Sequence, residues 1–465
     1  MADLMAPAMM ACLVVVLLAG FPVAFSLAAV GGLFGVLGIV TGHFNATFLL
    51  AMPLRLLGTF YNDNLLAIPL LVFMGMILER TGLAEDLLLA LNGLFGRLPG
   101  GLAYTTLIVG ALLSAITGFV SASVVAIGLI SLPAMMRAGY DHRLATGVVA
   151  ASGTLAQILP PSIVLIVLAE QLEVSLLEIY RGVLLPSALL VLSYAAYVAL
   201  ATWRNPGLAP PAAAFGRFQS VGPGRAALAA LAPIAVVMAI LVAIFTGIAT
   251  PSEGGAIGVT AALMLGLARR RLNGRNLREA LDSAGVLCSV VIFLLLGASF
   301  FTLVFRGLDG HLWIEAMFRH VPAGPLGFLV FVNLAIFFLA FFLDFFEIAF
   351  IVLPLVAPIA RAAGIDMVWL TVLLAVNLQT SFMHPPFGIA LYNLRSVAPR
   401  AITTAQIYLG AIPFLMIQIA MVAVLILLPG LVTTAPPPEV NLENVQIELP
   451  PTEYGESEPT ESEAP

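Results

Sequence analysis

Long apolar runs separated by short polar breaks occupy the chain from about residue 8 to residue 432. A helix needs roughly 20 apolar residues to cross a hydrocarbon core about 30 Å thick. The pattern predicts membrane helices, or parts of them, at 8–19, 22–41, 64–80, 102–117, 121–138, 144–158, 162–171, 180–203, 226–247, 254–268, 284–305, 326–342, 346–361, 367–382, 387–395 and 404–432. An interfacial arm helix is expected within 45–61, where apolar residues surround Arg55.

Several of these segments are too short to span a bilayer, and they lie beside Gly, Ser and Pro-Pro. In lipid every backbone N–H and C=O must be hydrogen-bonded, so a broken helix persists only inside protein or facing a cavity. Paired, interrupted helices are typical of secondary transporters and point to their binding site. We therefore predict an all-α polytopic membrane protein with helical hairpins and broken helices.

A single offset of 225 residues relates three separate places in the chain. It superposes Ser131–Asp141 on Val356–Asp366, Pro160-Pro161 on Pro385-Pro386, and Gly82 on Gly307. The offset predicts two homologous repeats, 1–203 and 226–432, joined by a polar linker at 204–225. A Glu-rich and Pro-rich tail follows at 433–465, where we expect disorder.

The arginines predict how the two repeats are oriented. They cluster in the linker 204–225 and in the loop 269–278, whereas the loop His43–Tyr61, which corresponds to the latter by the offset, has one. Positive charge favours the cytoplasmic side, so corresponding loops are expected on opposite faces. This predicts inverted repeats, with the linker and the loop 269–278 cytoplasmic and the N-terminus and acidic tail periplasmic.

Composition narrows the range of chemistry. The chain is 61% hydrophobic and 9% charged, and all 19 basic residues are Arg. Without Lys there is no P-loop and no Schiff-base lysine. Cys12 and Cys288 are isolated, and no zinc-protease motif occurs. The net charge of −6 comes from the tail, which holds eight Glu and no base. We expect no enzyme, no cofactor and no nucleic-acid partner.

Five motifs in order resemble one transporter family. They are Pro69–Met76, Arg97–Gly101, Gly153–Ser162, Ala249–Ala256 and Asn377–Gly388. Together they resemble the large membrane subunit, DctM-like, of tripartite ATP-independent periplasmic (TRAP) transporters, over about residues 10 to 432. Leu343–Glu347 further resembles the mannitol/chloroaromatic branch, which includes 2-oxo-acid systems.

The resemblance implies a mechanism and partners. A periplasmic substrate-binding protein would deliver a small organic anion, usually a carboxylate, to this subunit and a small four-helix membrane subunit in the bacterial inner membrane. Sodium ions would drive uptake, while a transport domain of hairpins and broken helices moves as an elevator against a scaffold. A stand-alone sodium/carboxylate symporter of the same superfamily is the alternative, and a channel fits two broken-helix repeats less well.

Polar residues beside the breaks are the candidate ligands. Hydroxyls, amides and unwound carbonyls suit sodium, whereas half-helix N-termini attract a carboxylate. The candidate sodium ligands are Ser121, Ser123, Gly153, Thr154, Asp344, Gln379 and Thr380. The candidate substrate contacts are Thr117, Ser123, Pro160, Pro161, Glu347, Asn377, Pro385 and Pro386. Close helix packing, proline kinks and interhelical hydrogen bonds are the structural alternatives.

Asp344 and Glu347 are the acids with the sharpest context, because they lie within the aromatic run 341–350. A carboxylate in such a run must be paired, protonated or bound to a cation. Their spacing of three places both on one helical face. Relatives in the resembled family usually have an Asp at the position of Asp344, which implies a sodium ligand. An intramembrane enzyme that uses this acid pair is a remote alternative.

Other charged residues are expected to be structural. Asp141 and Asp366, related by the offset, each precede a helix and should cap it, and Glu253 follows Pro251 in a first helical turn. Arg395 ends a broken helix and is expected to snorkel. His384 departs from the small polar residue usual in the resembled family, and we expect it to be hydrogen-bonded.

Overall fold

The computed structural model describes residues 2–82, 86–88, 91, 95, 98–211, 223–318, 324–385 and 388–432. The predicted acidic tail, part of the predicted linker and Pro386 lie outside these residues.

The first half forms nine of the helices that the structure describes. They are α1 (Ala2–Leu18), α2 (Val23–Val40), α3 (Met52–Phe60), α4 (Asp63–Arg80), α5 (Gly101–Thr117), α6 (Val120–Arg137), α7 (His142–Thr154), α8 (Ile163–Leu172) and α9 (Leu176–Arg204). A 3₁₀ turn at Ala46–Ala51 leads into α3, the predicted arm, and another at Leu155–Gln157 follows α7.

The described part of the second half forms nine more. They are α10 (Pro223–Phe245), α11 (Pro251–Ala268), α12 (Gly274–Gly307), α13 (Gly310–Phe318), α14 (Gly324–Leu339), α15 (Phe345–Ala362), α16 (Met367–Ser381), α17 (Ile389–Val397) and α18 (Thr404–Leu427). A π-helical turn lies inside α15 at Ile348–Val352.

The helices that are long enough to span a membrane lie where the hydropathy predicts them. Among the described residues, six helices are long and apolar enough to cross a membrane, or seven if the bent pair Ala46–Phe60 and Asp63–Arg80 counts as one span. Hairpins and broken helices account for the shorter apolar helices, such as Ile163–Leu172 and Met367–Ser381. The predicted fold class, an all-α polytopic membrane protein with hairpins and broken helices, is confirmed.

Helix boundaries follow the 225-residue offset closely. The offset carries the bounds of α6 onto those of α15, and α7 begins at His142 where α16 begins at Met367. Asp141 and Asp366 cap these two helices through their side chains, as predicted. Gly139 and Gly364 both adopt a positive φ, of 73° and 69°, which a side chain would strain.

Corresponding helices run in opposite directions. At the end of α6, the Asp141 amide donates to the Leu208 carbonyl in the linker at 2.8 Å. From there α7 and α8 lead across the molecule to Leu172, and α9 returns to Arg204. At the end of α15, the Arg361 guanidinium donates to the Leu172 carbonyl at 2.7 Å. Thus α6 and α15 end at opposite ends of the molecule, which makes the repeats inverted.

The arginine-rich loop 269–278 and the helix ends beside it join α4 to α12. Arg80 at the end of α4 pairs with Glu279 of α12, and Arg269 pairs with Asp86 at 3.0 Å. At the start of α11, Thr250 and Glu253 form a reciprocal capping box, as the sequence predicts for an N-terminal acid. The two ion pairs lie at one end of the molecule, where α4 ends and α12 begins, whereas the capping box lies at the opposite end of α11.

The structure differs most from the predicted segments in two places. Helix α12 is 34 residues long and begins ten residues before the predicted span at 284–305, because its charged first turns extend beyond the apolar stretch. Helix α13 has no predicted counterpart. Its nine residues include His311 and are too few to give a hydropathy signal.

Candidate functional site

The first hairpin turns at Gly118, between α5 and α6. Gly118 adopts a φ of 61°, and a Cβ there would lie 3.3 Å from the Pro161 carbonyl oxygen. The hairpin tip therefore rests against the break between α7 and α8. Pro160 and Pro161, joined by a cis peptide bond, are buried within that break.

Hydroxyl groups connect this tip to the broken helix. The Thr117 and Ser123 hydroxyls lie 2.6 Å apart, and the Ser114 hydroxyl donates to the Ser152 carbonyl at 3.1 Å. A Cβ on Gly153 would lie 3.0 Å from the backbone of Val124 in α6. The structure thus brings Thr117, Ser123 and Gly153 to one place, and half-buried Ser121 is the second residue of α6.

The second hairpin turns at 340–344, between α14 and α15. Asp344 caps α15: its carboxylate accepts from the Glu347 amide, and the Glu347 carboxylate accepts from the Asp344 amide, both at 2.9 Å. Both side chains are half-buried. One oxygen of each acid is therefore engaged in capping the helix, and both carboxylates lie at the tip of the second hairpin.

His384 lies at the break after α16 and packs against the second hairpin. Its buried ring stacks on Phe341 with centroids 4.4 Å apart and meets Phe337 edge-on at the same distance. Neither ring nitrogen has a hydrogen-bond partner among the described residues, contrary to the expectation of a hydrogen-bonded histidine. The imidazole ring of His384 is held by aromatic packing against the two phenyl rings of the hairpin, those of Phe337 and Phe341.

The two broken helices meet through residues related by the repeat. The Gln379 amide of α16 donates to the Thr154 hydroxyl of α7 at 3.2 Å, and these positions are 225 residues apart. Both side chains are fully buried. The sequence placed these residues opposite each other in the alignment, and the structure places them in contact.

Two further residues of this centre were missed from the sequence. The Gln418 amide of α18 donates to the Tyr194 hydroxyl of α9 at 2.9 Å and lies 3.5 Å from the Thr154 hydroxyl. All three side chains are buried. The amide of Gln418 within the apolar run 409–427 was the available signal, since such a group needs a partner at membrane depth.

Several buried oxygens in and around this centre have no donor. Within the described chain, the side-chain amide oxygens of Gln157, Gln379 and Gln418 lack a hydrogen-bond partner. An unpaired buried acceptor is costly unless a ligand, ion or water satisfies it. Amide and hydroxyl oxygens offer lone pairs to a cation, so the arrangement can hold a hard cation such as sodium.

Asn377 and Thr380 have more structural contacts than the sequence indicated. The Asn377 amide donates to the Asn333 carbonyl of α14 at 2.8 Å, and Thr380 donates to the Asn377 carbonyl at 2.6 Å. Asn377 therefore ties its broken helix to the second hairpin. Arg395 also has a structural partner, the Ile402 carbonyl, and Pro385 lies half-buried at the second break.

Comparison with known proteins identifies relatives along nearly the whole chain. Residues 10–431 match the family described as "Tripartite ATP-independent periplasmic transporter, DctM component". The chain is 26% identical to a C4-dicarboxylate TRAP transporter large permease protein of Pseudomonas aeruginosa, over 87% of this chain and 93% of the relative. It is 28% identical to a sialic acid TRAP transporter large permease protein of Vibrio cholerae, over 88% and 93%.

A solved structure shares the fold at low identity. The Neisseria gonorrhoeae MtrF structure, described as illuminating a class of antimetabolite efflux pumps, superposes with a TM-score of 0.59 at 13% identity. The match covers 82% of this chain and 84% of that one. At this identity the likeness concerns the fold alone.

Proposed function

The chain belongs to the DctM family of tripartite ATP-independent periplasmic transporters, and on that premise we propose that sodium ions drive its import of a small organic anion. Family membership makes it a large permease subunit for carboxylate-type substrates, a transporter and not an enzyme, and an integral protein of the inner membrane. The substrate branch suggested by Leu343–Glu347, mannitol/chloroaromatic or 2-oxo-acid, is part of the proposal.

The contact between Thr154 and Gln379 is the observation that carries the proposal. Two broken helices from inverted repeats meet there, each packed against its own hairpin tip. Half-helix ends at such a crossing present carbonyls to a cation and amides to an anion. A site with this geometry suits the joint binding of sodium and a carboxylate.

We assign two sodium-binding clusters, one to each hairpin. The first comprises Ser121, Ser123, Gly153 and Thr154, and its support is the close packing of α6 on α7. The second comprises Asp344, Gln379 and Thr380, and its support is the Asp344 carboxylate at the second hairpin tip together with the Gln379 amide oxygen, which has no hydrogen-bond partner among the described residues. Capping leaves Asp344 oriented towards the tip, where a cation can meet it.

The substrate would lie between the two tips. Its proposed contacts are Thr117, Ser123, Pro160, Pro161, Glu347, Asn377, Pro385 and Pro386. One N–H of the Asn377 amide is engaged with the Asn333 carbonyl, so the second N–H would donate to the substrate carboxylate. The Pro-Pro breaks would contribute the backbone groups that proline leaves exposed nearby.

Transport would proceed by an elevator movement in a three-part system. The two hairpins with α7, α8, α16 and α17 would form the moving domain, and α4, α11 and α12, joined by the arginine-rich loop, would form the scaffold. The proposed partners are a small four-helix membrane subunit and a periplasmic substrate-binding protein. The linker 204–225 and the loop 269–278 would be cytoplasmic, and both chain termini periplasmic.

Reconstitution tests this function. The chain is incorporated into proteoliposomes with the small subunit and the binding protein, whose own ligand, identified by mass spectrometry, serves as labelled substrate. Uptake should require all three proteins and an inward sodium gradient. Full uptake by the chain alone would favour a stand-alone symporter, and uptake that ignores the sodium gradient would overturn sodium coupling.

A further inference from the structure

A charged cavity lies apart from the hairpin tips, at the end of the molecule opposite the arginine-rich loop. Its volume is about 340 Å³, and three arginines and two glutamates line it: Arg55, Arg306, Arg361, Glu170 and Glu173. We call this set the arginine vestibule. Its size is within the range of cavities that hold small molecules.

The vestibule forms where the arm and α12 face the hairpin helices. Arg55 belongs to α3, and Arg306 ends α12, whose residues Ser299 and Thr302 line the same cavity. These α12 positions are three or four residues apart and so share one helical face. The opposite wall carries Glu170, Glu173 and Arg361, from the ends of α8 and α15.

The charges on that opposite wall are largely engaged. Arg361 pairs with Glu173 at 2.9 Å and donates to the Leu172 carbonyl. One carboxylate oxygen of Glu170 accepts from the Asn62 amide at 2.7 Å. Arg361 is thus neutralised locally, and Glu170 lines the cavity with one of its two carboxylate oxygens engaged by Asn62.

Arg55 and Arg306 have no such compensation. Neither guanidinium has an ion-pair or hydrogen-bond partner in the described part of the chain, and the charge of Arg306 acts unfavourably on Arg55. Both side chains are exposed at the cavity that they line, and the repulsion between two guanidiniums on one concave surface is offset when an anion lies between them. Guanidinium forks match a carboxylate in geometry and charge.

We propose that the arginine vestibule is a second substrate-class site, which holds the carboxylate of a small hydroxy- or amino-carboxylate between Arg55 and Arg306. The remaining oxygen of Glu170 accepts a hydrogen bond from the ligand's hydroxyl or amino group. A second carboxylate on the ligand would meet Glu170 and be repelled, so the vestibule favours monocarboxylates. The identity of the ligand class as an organic anion rests on the proposed transport function.

Because of its location, the vestibule would bind the substrate before the substrate reaches the site between the hairpin tips. The vestibule spans the proposed scaffold and the proposed moving domain, and under the proposed orientation it opens on the periplasmic side. An anion released there would be held by fixed positive charge before it reaches the tips. Sliding of α8 and α15 past α12 would separate Glu170 from the two arginines, and the bound anion would then be released.

Arginine-specific labelling tests the site without transport. The full chain in zwitterionic nanodiscs is treated with a dicarbonyl reagent, and modification at each arginine is followed by mass spectrometry with sodium L-lactate or with equimolar sodium chloride. L-Lactate should slow labelling of Arg55 and Arg306 several-fold. Arg275, which is 86% exposed at the other end, is the internal control and should be unaffected.

The role of Glu170 has its own comparison. Propionate, which lacks the hydroxyl of lactate, should protect more weakly, by about tenfold in half-protecting concentration for one hydrogen bond to a charged group. Glu170→Gln should remove most of that difference, while its side-chain oxygen can still accept from Asn62. Arg275→Gln is the matched control variant and should leave both ligands' protection as in the parent chain.

Three results would overturn the proposal: no protection of either arginine by L-lactate, equal protection of Arg275, or protection that appears only in nanodiscs of anionic lipid without lactate. The last result would assign the vestibule to a lipid headgroup. Because the assay needs neither a sodium gradient nor the partner subunits, failure of sodium-driven uptake leaves its outcome standing. Conversely, uptake with unprotected arginines would reject the vestibule alone.

Discussion

At the scale of single residues, a few buried polar groups distinguish this chain from a bundle of apolar helices. Thr154, Gln379 and Gln418 are fully buried and hydrogen-bonded around one point. Polar groups at membrane depth are costly unless they are partnered or functional. Asp344 caps a helix and brings a carboxylate to the tip of the second hairpin.

Replacing Thr154 tests the central contact. Thr154→Val removes the hydroxyl that accepts from Gln379 and leaves that amide without its partner, so we expect a loss of about 1–3 kcal/mol in stability. Thermal unfolding of the detergent-solubilised protein measures it. Thr154→Ser keeps the hydroxyl and is the control. Equal unfolding temperatures for the Val and Ser variants would show that the contact contributes nothing.

Asp344→Asn separates capping from cation binding. Asn is as good an N-cap as Asp, so the helix start should persist while the charge is lost. We expect the sodium concentration for half-maximal uptake to rise about tenfold or more, as for loss of a charged ligand. The matched control is Asp366→Asn, a cap outside the proposed site. A similar shift in both variants, or in neither, would remove Asp344 from the sodium site.

At the scale of elements, the hairpins and broken helices are shaped by glycine and proline. Prolines stop α7 and precede α8, and the first hairpin turns at a glycine. The second hairpin turns instead at an acid that caps its returning helix. The two tips are thus equivalent in position and different in chemistry, which is consistent with a site that binds unlike ligands.

Gly118 should resist substitution more than an unhindered glycine such as Gly58. Gly118→Ala places a Cβ on a residue with φ of 61° and against the Pro161 carbonyl, which we expect to cost about 1–2 kcal/mol. Gly58 of α3 has nothing within 4 Å of a Cβ, so Gly58→Ala is the control and should be neutral or slightly stabilising. Thermal unfolding of both variants measures the two effects. Equal changes in unfolding temperature would mean that the hairpin tip tolerates a side chain at Gly118.

At the scale of the whole molecule, inversion of the repeats places corresponding loops at opposite ends. The arginine-rich loop fastens α4 and α12 at one end, while Arg361, Glu173 and the arginine vestibule lie at the other. Arginine is retained on the cytoplasmic side during insertion. The fold and the charge pattern therefore support the same orientation.

Cysteine accessibility tests that orientation. In a chain with Cys12 and Cys288 replaced by Ala, Ser175→Cys places a thiol at the start of α9, and Arg278→Cys places one in the arginine-rich region. A membrane-impermeant maleimide should label the first in intact spheroplasts and the second only after permeabilisation. The reverse pattern would show that the topology is opposite to the proposed one. Labelling of both cysteines in intact spheroplasts would refute the proposed topology.

The sequence alone determined the fold class, the repeat offset and most helices. A bilayer imposes a fixed apolar length and complete backbone hydrogen bonding, so spans and breaks are written locally in the chain. The caps at Asp141 and Asp366 were predictable for the same reason, since a cap depends on a few neighbouring residues. Helix α13 was not, because it is short and carries polar side chains.

Only the tertiary structure decided which residues meet. The sequence placed Thr154 and Gln379 at equivalent positions, but equivalence is not contact; they touch because the two inverted repeats cross at their breaks. Gln418, Tyr194 and the arginine vestibule likewise join elements that are distant along the chain. Such contacts depend on the packing of whole helices against each other, which local composition does not record.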